Sequence, residues 1–234
     1  YSFLDDNSLK TVKWEKLDYS KPNYFFVKKD FTDIKEYEKG FKISDLFILK
    51  NAGSATGKDA LFVDETKENL IKKLNIENIE FNENNIVKYN YRVFDNHYFL
   101  YDNKLIQRLR ENLMKNFRFE NIALISTKIL SSQSYYHSFL TKLISDRCVI
   151  SNKGQEANYL FPLYLYPDEN SLTNEPVPNF NMDIIKDIEK SLNLNFGNWT
   201  LVQSLEKIGG SEVLIKKKEF QALDLFDYIY AVLH

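Results

Sequence analysis

The stretch Ser145–Pro167, SDRCVISNKGQEANYLFPLYLYP, decides the fold. Its first half, Ser145–Gln155, is polar and carries Arg147, Asn152 and Lys153. Its second half, Asn158–Pro167, is aromatic and aliphatic, with Tyr159, Leu160, Phe161, Leu163, Tyr164, Leu165 and Tyr166. A near-continuous apolar run closed by proline reads as a strand buried on both faces. A polar loop held against such a strand is a rigidly mounted contact surface. The apolar half is therefore expected in the core. The polar half, with loops like it, is expected to touch a ligand.

The pattern outside this stretch is mixed. Upstream, Ile86–Phe94 and His97–Tyr101 read as two strands around a turn at Asp95-Asn96. Asn121–Ile129, His137–Ile144 and Cys148–Ser151 read as further strands leading into the apolar run. Asn103 is a good cap for a helix over Lys104–Phe117, whose Leu105, Leu109, Leu113 and Phe117 recur every fourth residue on one face. Asp64 or Thr66 caps a helix over Glu65–Leu74, with Leu70, Ile71 and Leu74 inward. Nearer the start, Tyr24–Lys28, Phe41–Lys50 and Leu61–Val63 read as strands. Phe31–Lys39 reads as a helical turn or two, closed by Gly40. Downstream, Asn181 caps a helix over Met182–Leu192, Gly209-Gly210 marks a turn, and Leu223–Leu233 is a final helix. The expected fold class is mixed α/β (α+β), a central, mostly antiparallel or mixed sheet with flanking helices and a helical C-terminal end. The expected division is an entry segment over residues 1–40 packing on a main domain, a core over 41–180 and a C-terminal helical part over 181–234.

Composition supports a globular chain. Of 234 residues 44% are hydrophobic and 15% aromatic, enough for a sizeable core, and 7 Gly with 5 Pro argue against a linker-rich chain. No apolar run approaches the roughly 18 residues needed to span a bilayer. The single cysteine, Cys148, excludes an internal disulfide and fits a reducing cytosol. The chain begins at Tyr1 and ends inside the apolar run DLFDYIYAVLH, which suggests a piece of a longer protein. Net charge is −2, yet residues 101–155 carry nine basic and four acidic groups, and residues 156–234 six and twelve. A basic middle beside an acidic tail can hide a polyanion site in a neutral chain; ordinary surface scatter is the alternative.

Motifs for chemistry are weak. The loop Gly53-Ser-Ala-Thr-Gly57-Lys58-Asp59 imitates a phosphate loop but has three residues between its glycines instead of four, and Asp59 where a magnesium-binding hydroxyl would stand. Its backbone, Ser54, Thr56 and Lys58 suit a DNA phosphate or base edge better. Asp45 with Glu65-Thr66-Lys67 has the residue types of a metal-dependent nuclease. The same triplet is what a helix start wants for its dipole. His97, His137 and His234 stand at no metal-ligand spacing. What remains is a set of polar loops with Arg, Lys, Ser, Thr, Asn and Gln beside aromatics, the side chains that hold phosphates and read base edges.

Five blocks in order carry a family resemblance: YRVFD (Tyr91–Asp95), YDNKLIQR (Tyr101–Arg108), NIALISTK (Asn121–Lys128), ISNKGQEANYLFPLYLYP (Ile150–Pro167) and DLFDYIYAVLH (Asp224–His234). They resemble the C-terminal part of large bacterial restriction-modification enzymes of the type ISP kind and their adenine-specific methyltransferase relatives. PNYFFVKKDF and FKISDLFILKNAGSATGKDALFV resemble the segment entering that region. Val93 departs from the pattern, since relatives commonly carry proline there. The resemblance implies a target recognition domain, with 41–180 as its core. In that family a nuclease, a helicase-like motor and an N6-adenine methyltransferase precede it. No Asn-Pro-Pro-Tyr motif and no Walker A occurs in this chain. The resemblance thus implies a non-catalytic DNA-reading module with no cofactor of its own. S-adenosylmethionine, Mg2+ and ATP would serve other domains of the same polypeptide.

On that reading the partners are double-stranded DNA and the neighbouring methyltransferase and motor domains, with no membrane. Arg92, Arg108, Arg110, Lys128 and Lys153 would bind phosphates. Ser54, Thr56, Lys58, Ser131, Ser132, Gln133 and Asn152 would supply short-range contacts, and Arg147 either kind. Structural alternatives are salt bridges, Arg92 with Asp95, Arg108 with Glu111 and Arg147 with Asp146. Arg92, inside an expected strand, is the foremost structural candidate. Competing functions are a metal-dependent nuclease and a docking domain that binds no DNA.

Overall fold

The computed structural model of the protein describes residues 39–127, 137–150, 157–168, 175–197 and 219–233. The chain divides into two units, Tyr1–Lys42 and Ile43–His234. Only residues 39–42 of the first are among those described, so the expectations at Tyr24–Lys28 and, but for Lys39, at Phe31–Lys39, like that at Gly209-Gly210, lie outside them.

In chain order the elements of the second unit are α1 (Ile43–Leu46), β1 (Asn51–Ala52), α2 (Asp59–Phe62), β2 (Val63–Asp64), α3 (Lys67–Ile76), β3 (Ile86–Arg92), β4 (Asp95–Leu100), α4 (Glu111–Met114), β5 (Ala123–Ser126), β6 (Phe139–Thr141), β7 (Ile144–Ser145), β8 (Tyr159–Pro162), β9 (Tyr164–Leu165), β10 (Val177–Pro178), α5 (Met182–Leu192), β11 (Asn195–Gly197), β12 (Glu219–Gln221) and α6 (Ala222–Leu233). The expected mixed α/β class with a helical end is what forms. One four-stranded sheet, in the order β1-β8-β5-β6, is antiparallel throughout. The other, β2-β4-β3-β7, is antiparallel except where β7 runs parallel to β3.

The apolar run supplies an interior strand of the first sheet, and both faces of that sheet are covered. Ile125 pairs with Leu160 and Leu124 with Phe161. Successive side chains of a strand point to opposite faces. Ala123, Ile125 and Leu160 accordingly join one core with Phe62, Leu70, Tyr89, Phe99 and Leu113. Leu124 and Phe161 join a second core with Phe47, Phe180, Ile185 and Phe226. In this second core Phe47 meets the rings of Phe161 and Phe180 at 5.3 and 5.1 Å.

The run does not continue as one strand to Pro167. It breaks at Leu163, whose N–H donates to the Ile122 carbonyl (2.8 Å) and whose carbonyl accepts from Asn179 N–H (2.9 Å). Two buried asparagines satisfy the backbone around the break. Asn121 Nδ2 donates to the Tyr164 carbonyl (2.8 Å) and its Oδ1 accepts from Tyr164 N–H (3.1 Å). Asn179 Nδ2 donates to the carbonyls of Pro162 (2.8 Å) and Leu49 (2.7 Å). An amide side chain offers the same donor and acceptor as a peptide, so it can replace a missing ladder partner.

Two of the three expected helix caps form. Thr66 Oγ1 accepts from Asn69 N–H (3.2 Å) and caps α3, and Asn181 Oδ1 accepts from Asp183 N–H (3.0 Å) and caps α5. Leu70 and Leu74 are fully buried as α3 requires.

Five local expectations are corrected. Phe41–Lys50 is no strand: it forms α1 and then a single bridge from Phe47 to Phe180, because the adjacent Leu46 and Phe47 are both wholly buried in one core. Leu61–Val63 is a helical turn through Phe62, with the strand starting at Val63. The helix expected over Lys104–Phe117 begins at Glu111. Arg110 sits at φ 60, and the Arg108 peptide spends its N–H and carbonyl on Ala55 (3.0 Å each). Leu109, Leu113 and Phe117 are buried nonetheless. Residues Cys148–Ile150 are turned, not extended, since Cys148 N–H donates to the Asp146 carboxylate (2.7 Å) and Val149 N–H to Asn158 Oδ1 (2.7 Å). The hairpin turn lies at Val93-Phe94, two residues before Asp95-Asn96, which belong to β4.

Candidate nucleic-acid interface

The polar half of the opening stretch is organised by Asp146. Its carboxylate is buried and accepts from the Tyr89 hydroxyl (2.9 Å), from Arg92 (3.1 Å) and from Cys148 N–H (2.7 Å). Burial holds its pKa above the usual carboxylate range, against the pull of those donors. Tyr89 is raised well above a normal phenol, first by burial and then by the Asp146 charge. The Asp146 carbonyl accepts from Asn158 Nδ2 (3.2 Å), which ties the turn to the strand that follows. Tyr89 itself is stacked on Phe99 with ring centroids 4.5 Å apart, so the hub rests on the first core.

The glycine-bearing loop docks on this hub. Ser54 N–H donates to the Ser145 carbonyl (2.8 Å) and the Ser54 carbonyl accepts from Arg147 N–H (2.9 Å). The Ser54 hydroxyl donates to the Leu109 carbonyl (2.7 Å). On its other edge Ala55 exchanges two backbone bonds with Arg108, and Gln107 N–H donates to the Thr56 carbonyl (3.3 Å). The segment 53–58 is thus braced on both sides, by 145–147 and by 107–109. Gly57 takes φ +78, a turn that a side chain would strain.

Seven of the thirteen residues singled out from sequence can be placed, and they fall into four groups. Ser54 is 0% and Thr56 2% exposed. Ser54 is bonded to Leu109, and Thr56 donates its hydroxyl to Asp59 while accepting from Lys58 N–H (3.1 Å). Both hydroxyls support the loop, and their burial takes them out of the expected contact set. Arg92 is the structural arginine of the list, although its carboxylate is Asp146 and not Asp95, which instead pairs with His97 (2.9 Å). Its guanidinium also lies 3.8 Å over the Tyr91 ring. Lys58, Arg108 and Arg110 are exposed, and among the described residues none of the three forms an ion pair; the pairing of Arg108 with Glu111 does not occur. Arg147 is half-buried, is not paired with Asp146, and keeps its Nε buried without a hydrogen-bond partner among the described residues. Lys128, Ser131, Ser132, Gln133, Asn152 and Lys153 lie outside the described residues. Their segments connect β5 to β6 and the Asp146 turn to β8.

Sequence reasoning passed over Asp146 and Asn158 as organisers. The signal available was an acid near the start of the polar half and an amide at the head of the apolar run. Glu65–Lys67, the residues weighed for a nuclease, form a helix start capped by Thr66, and no group of His, Cys, Asp and Glu suited to a metal ion occurs among the described residues. An open cleft of about 430 Å³ between Asp59, Asp64, Glu65, Tyr91 and His97 is acidic and repels phosphate. No helix among the described residues is long and apolar enough to cross a membrane.

Removing Arg92 tests the hub. Arg92→Ala is expected to lower stability by about 2 kcal/mol, since the buried carboxylate loses its cation while the partly exposed guanidinium limits the loss. Adding Asp146→Asn should recover part of it, giving a coupling in a double-mutant cycle followed by urea unfolding. Strict additivity would mean that the pair does not hold the turn.

No curated protein matches the chain. Among solved structures the fold is similar to that of a nuclease-deletion mutant of the Type ISP restriction-modification enzyme LlaGI in complex with a DNA substrate mimic. There the TM-score is 0.52 at 14% identity, covering 74% of this chain and 20% of that one. It is also similar to DrdV in a DNA complex seen by cryo-electron microscopy, with a TM-score of 0.57 at 16% identity, covering 81% of this chain and 19% of that one. The chain spans about a fifth of the length of either. Residues 72–234, well over half of the sequence, match the model of the Type ISP C-terminal specificity domain, and the chain belongs to that family.

Proposed function

We propose that this chain is the sequence-specific double-stranded DNA recognition module of a restriction-modification enzyme. On this reading other domains of the same polypeptide carry out N6-adenine methylation, translocation and cleavage with S-adenosylmethionine, ATP and Mg2+, and this module positions them on the target. The observation that carries the reading within the fold is the set Lys58, Arg108 and Arg110. These cations are exposed, free of carboxylate partners among the described residues, and mounted on segments braced against the Asp146 hub. A cation held by rigid backbone and left without a counter-charge is placed for phosphate. Arg147, with an unsatisfied Nε, and the segments carrying Lys128, Ser131, Ser132, Gln133, Asn152 and Lys153 supply the base-reading and further phosphate contacts. Each well-formed bidentate base contact would contribute about 1–3 kcal/mol of discrimination.

The test is binding of the full chain to a randomised duplex pool across a range of salt concentrations. The expected result is enrichment of one sequence, with an affinity that falls steeply with salt. Replacing both Lys58 and Arg108 by alanine should lower the slope of log affinity against log salt by about 2, one per phosphate contact, for any sequence alike. Salt-insensitive binding, or an unchanged slope in the double variant, would reject these cations as the phosphate grip.

A further inference from the structure

The tip of the β3–β4 hairpin carries an aromatic ring in an unusual position. Val93 and Phe94 form the turn, with Arg92 facing Asp95 across it. Phe94 is 93% exposed, the most exposed large hydrophobic side chain described, and it sits at φ 60. That region is entered readily by glycine or asparagine and reluctantly by a residue with a bulky side chain. Solvation and backbone conformation thus both disfavour phenylalanine here.

The ring is also supported. Phe139, on β6, meets it edge-on with centroids 6.4 Å apart. Val93 N–H donates to the Val149 carbonyl (3.3 Å), in the turn built by Asp146. The tip is therefore fixed to the start of β6, which segment 128–136 enters, and to the exit toward segment 151–156. These two segments hold six of the thirteen sequence-nominated contact residues.

The neighbourhood says what would cover the ring. Arg92, Asp95 and Asn96 flank the turn and are polar, with the Asp95 carboxylate 2.9 Å from His97 Nε2. A protein partner is recognised through a contiguous apolar patch. One ring projecting beyond the half-buried Val93 and Phe139, with polar groups beside it, instead matches a base step, which is an apolar slot of single-ring thickness rimmed by polar groove edges. We infer that Phe94 is a wedge that stacks on, and partly opens, one base step of the bound duplex. This rests on the DNA-recognition reading.

The experiment uses the full chain and the duplexes that it enriches from a randomised 30-base-pair pool, resynthesised with 2-aminopurine at successive positions. Wild type should brighten the probe at one step, where a base leaves its stack. Phe94→Ala should abolish that signal and weaken binding by about tenfold, the usual loss for one stacking aromatic, without changing the salt slope. Phe94→Trp should restore both. Because the side chain is exposed, Phe94→Gly is expected to unfold at no lower urea concentration than wild type, which separates loss of the wedge from loss of the fold. A signal equal in wild type and Phe94→Ala, with equal affinities, overturns the wedge alone. Failure of wild type to enrich any duplex overturns the DNA reading, and the wedge with it.

Discussion

Gly53→Ala is expected to destabilise the protein by about 3–5 kcal/mol. A Cβ at this position would stand 2.2 Å from the Asp146 carbonyl oxygen, 2.4 Å from its carbon and 2.6 Å from Arg147 nitrogen. All three are backbone atoms, so no side chain can rotate aside. The loop must withdraw, and withdrawal breaks the bonds that Ser54 makes with Ser145 and Arg147. Overpacking of this kind costs about 1–3 kcal/mol, and each buried backbone bond lost adds about 1 kcal/mol. Urea unfolding monitored by far-UV circular dichroism measures it. Gly57→Ala is the comparison: it is strained by its φ of +78, but its Cβ meets only the Gln107 side chain at 3.1 Å, and a cost of about 1 kcal/mol is expected. Equal midpoints for wild type and Gly53→Ala would show that the loop does not lie against the Asp146 turn.

Phe161→Ala should cost about 3–5 kcal/mol by opening a cavity in the second core. Its ring is 6% exposed and packs on Phe47, which in turn meets Phe180 and Phe226. Leu160→Ala, one residue earlier, opens the other core and should cost about 2–5 kcal/mol. Two large losses from adjacent residues are the signature of a strand covered on both faces. A strand with one solvated face would give one large and one negligible value, and that outcome would contradict the two-core arrangement. The same unfolding curves decide it.

The two substitutions separate what a reader of sequence could see from what was hidden. Phe161 belongs to a run whose composition already demanded burial, and Thr66 and Asn181 announced their helices by residue type and spacing alone. Such features are local: the periodicity of apolar residues and the capping chemistry of a few neighbours settle them without reference to the rest of the chain. The structural role of Arg92 was legible too. Which acid holds Arg92 was not, because Asp146 is distant in sequence from it and Asp95 is near.

The asparagines illustrate the limit. Nothing in the sequence marks Asn121, Asn158 and Asn179 apart from the other asparagines, yet these three are buried and stand in for missing ladder partners. Ser54 and Thr56 read as ligand contacts, and their hydroxyls are used up inside the loop. The sequence by itself determined the mixed α/β class, the doubly buried strand and the family. Only the tertiary structure decided where the run breaks, which hydroxyls remain free, why position 53 is glycine and that Phe94 stands at a hairpin tip. A side chain's polarity is written in the chain, whereas its partner is chosen by which distant backbone groups the packed strands leave unsatisfied.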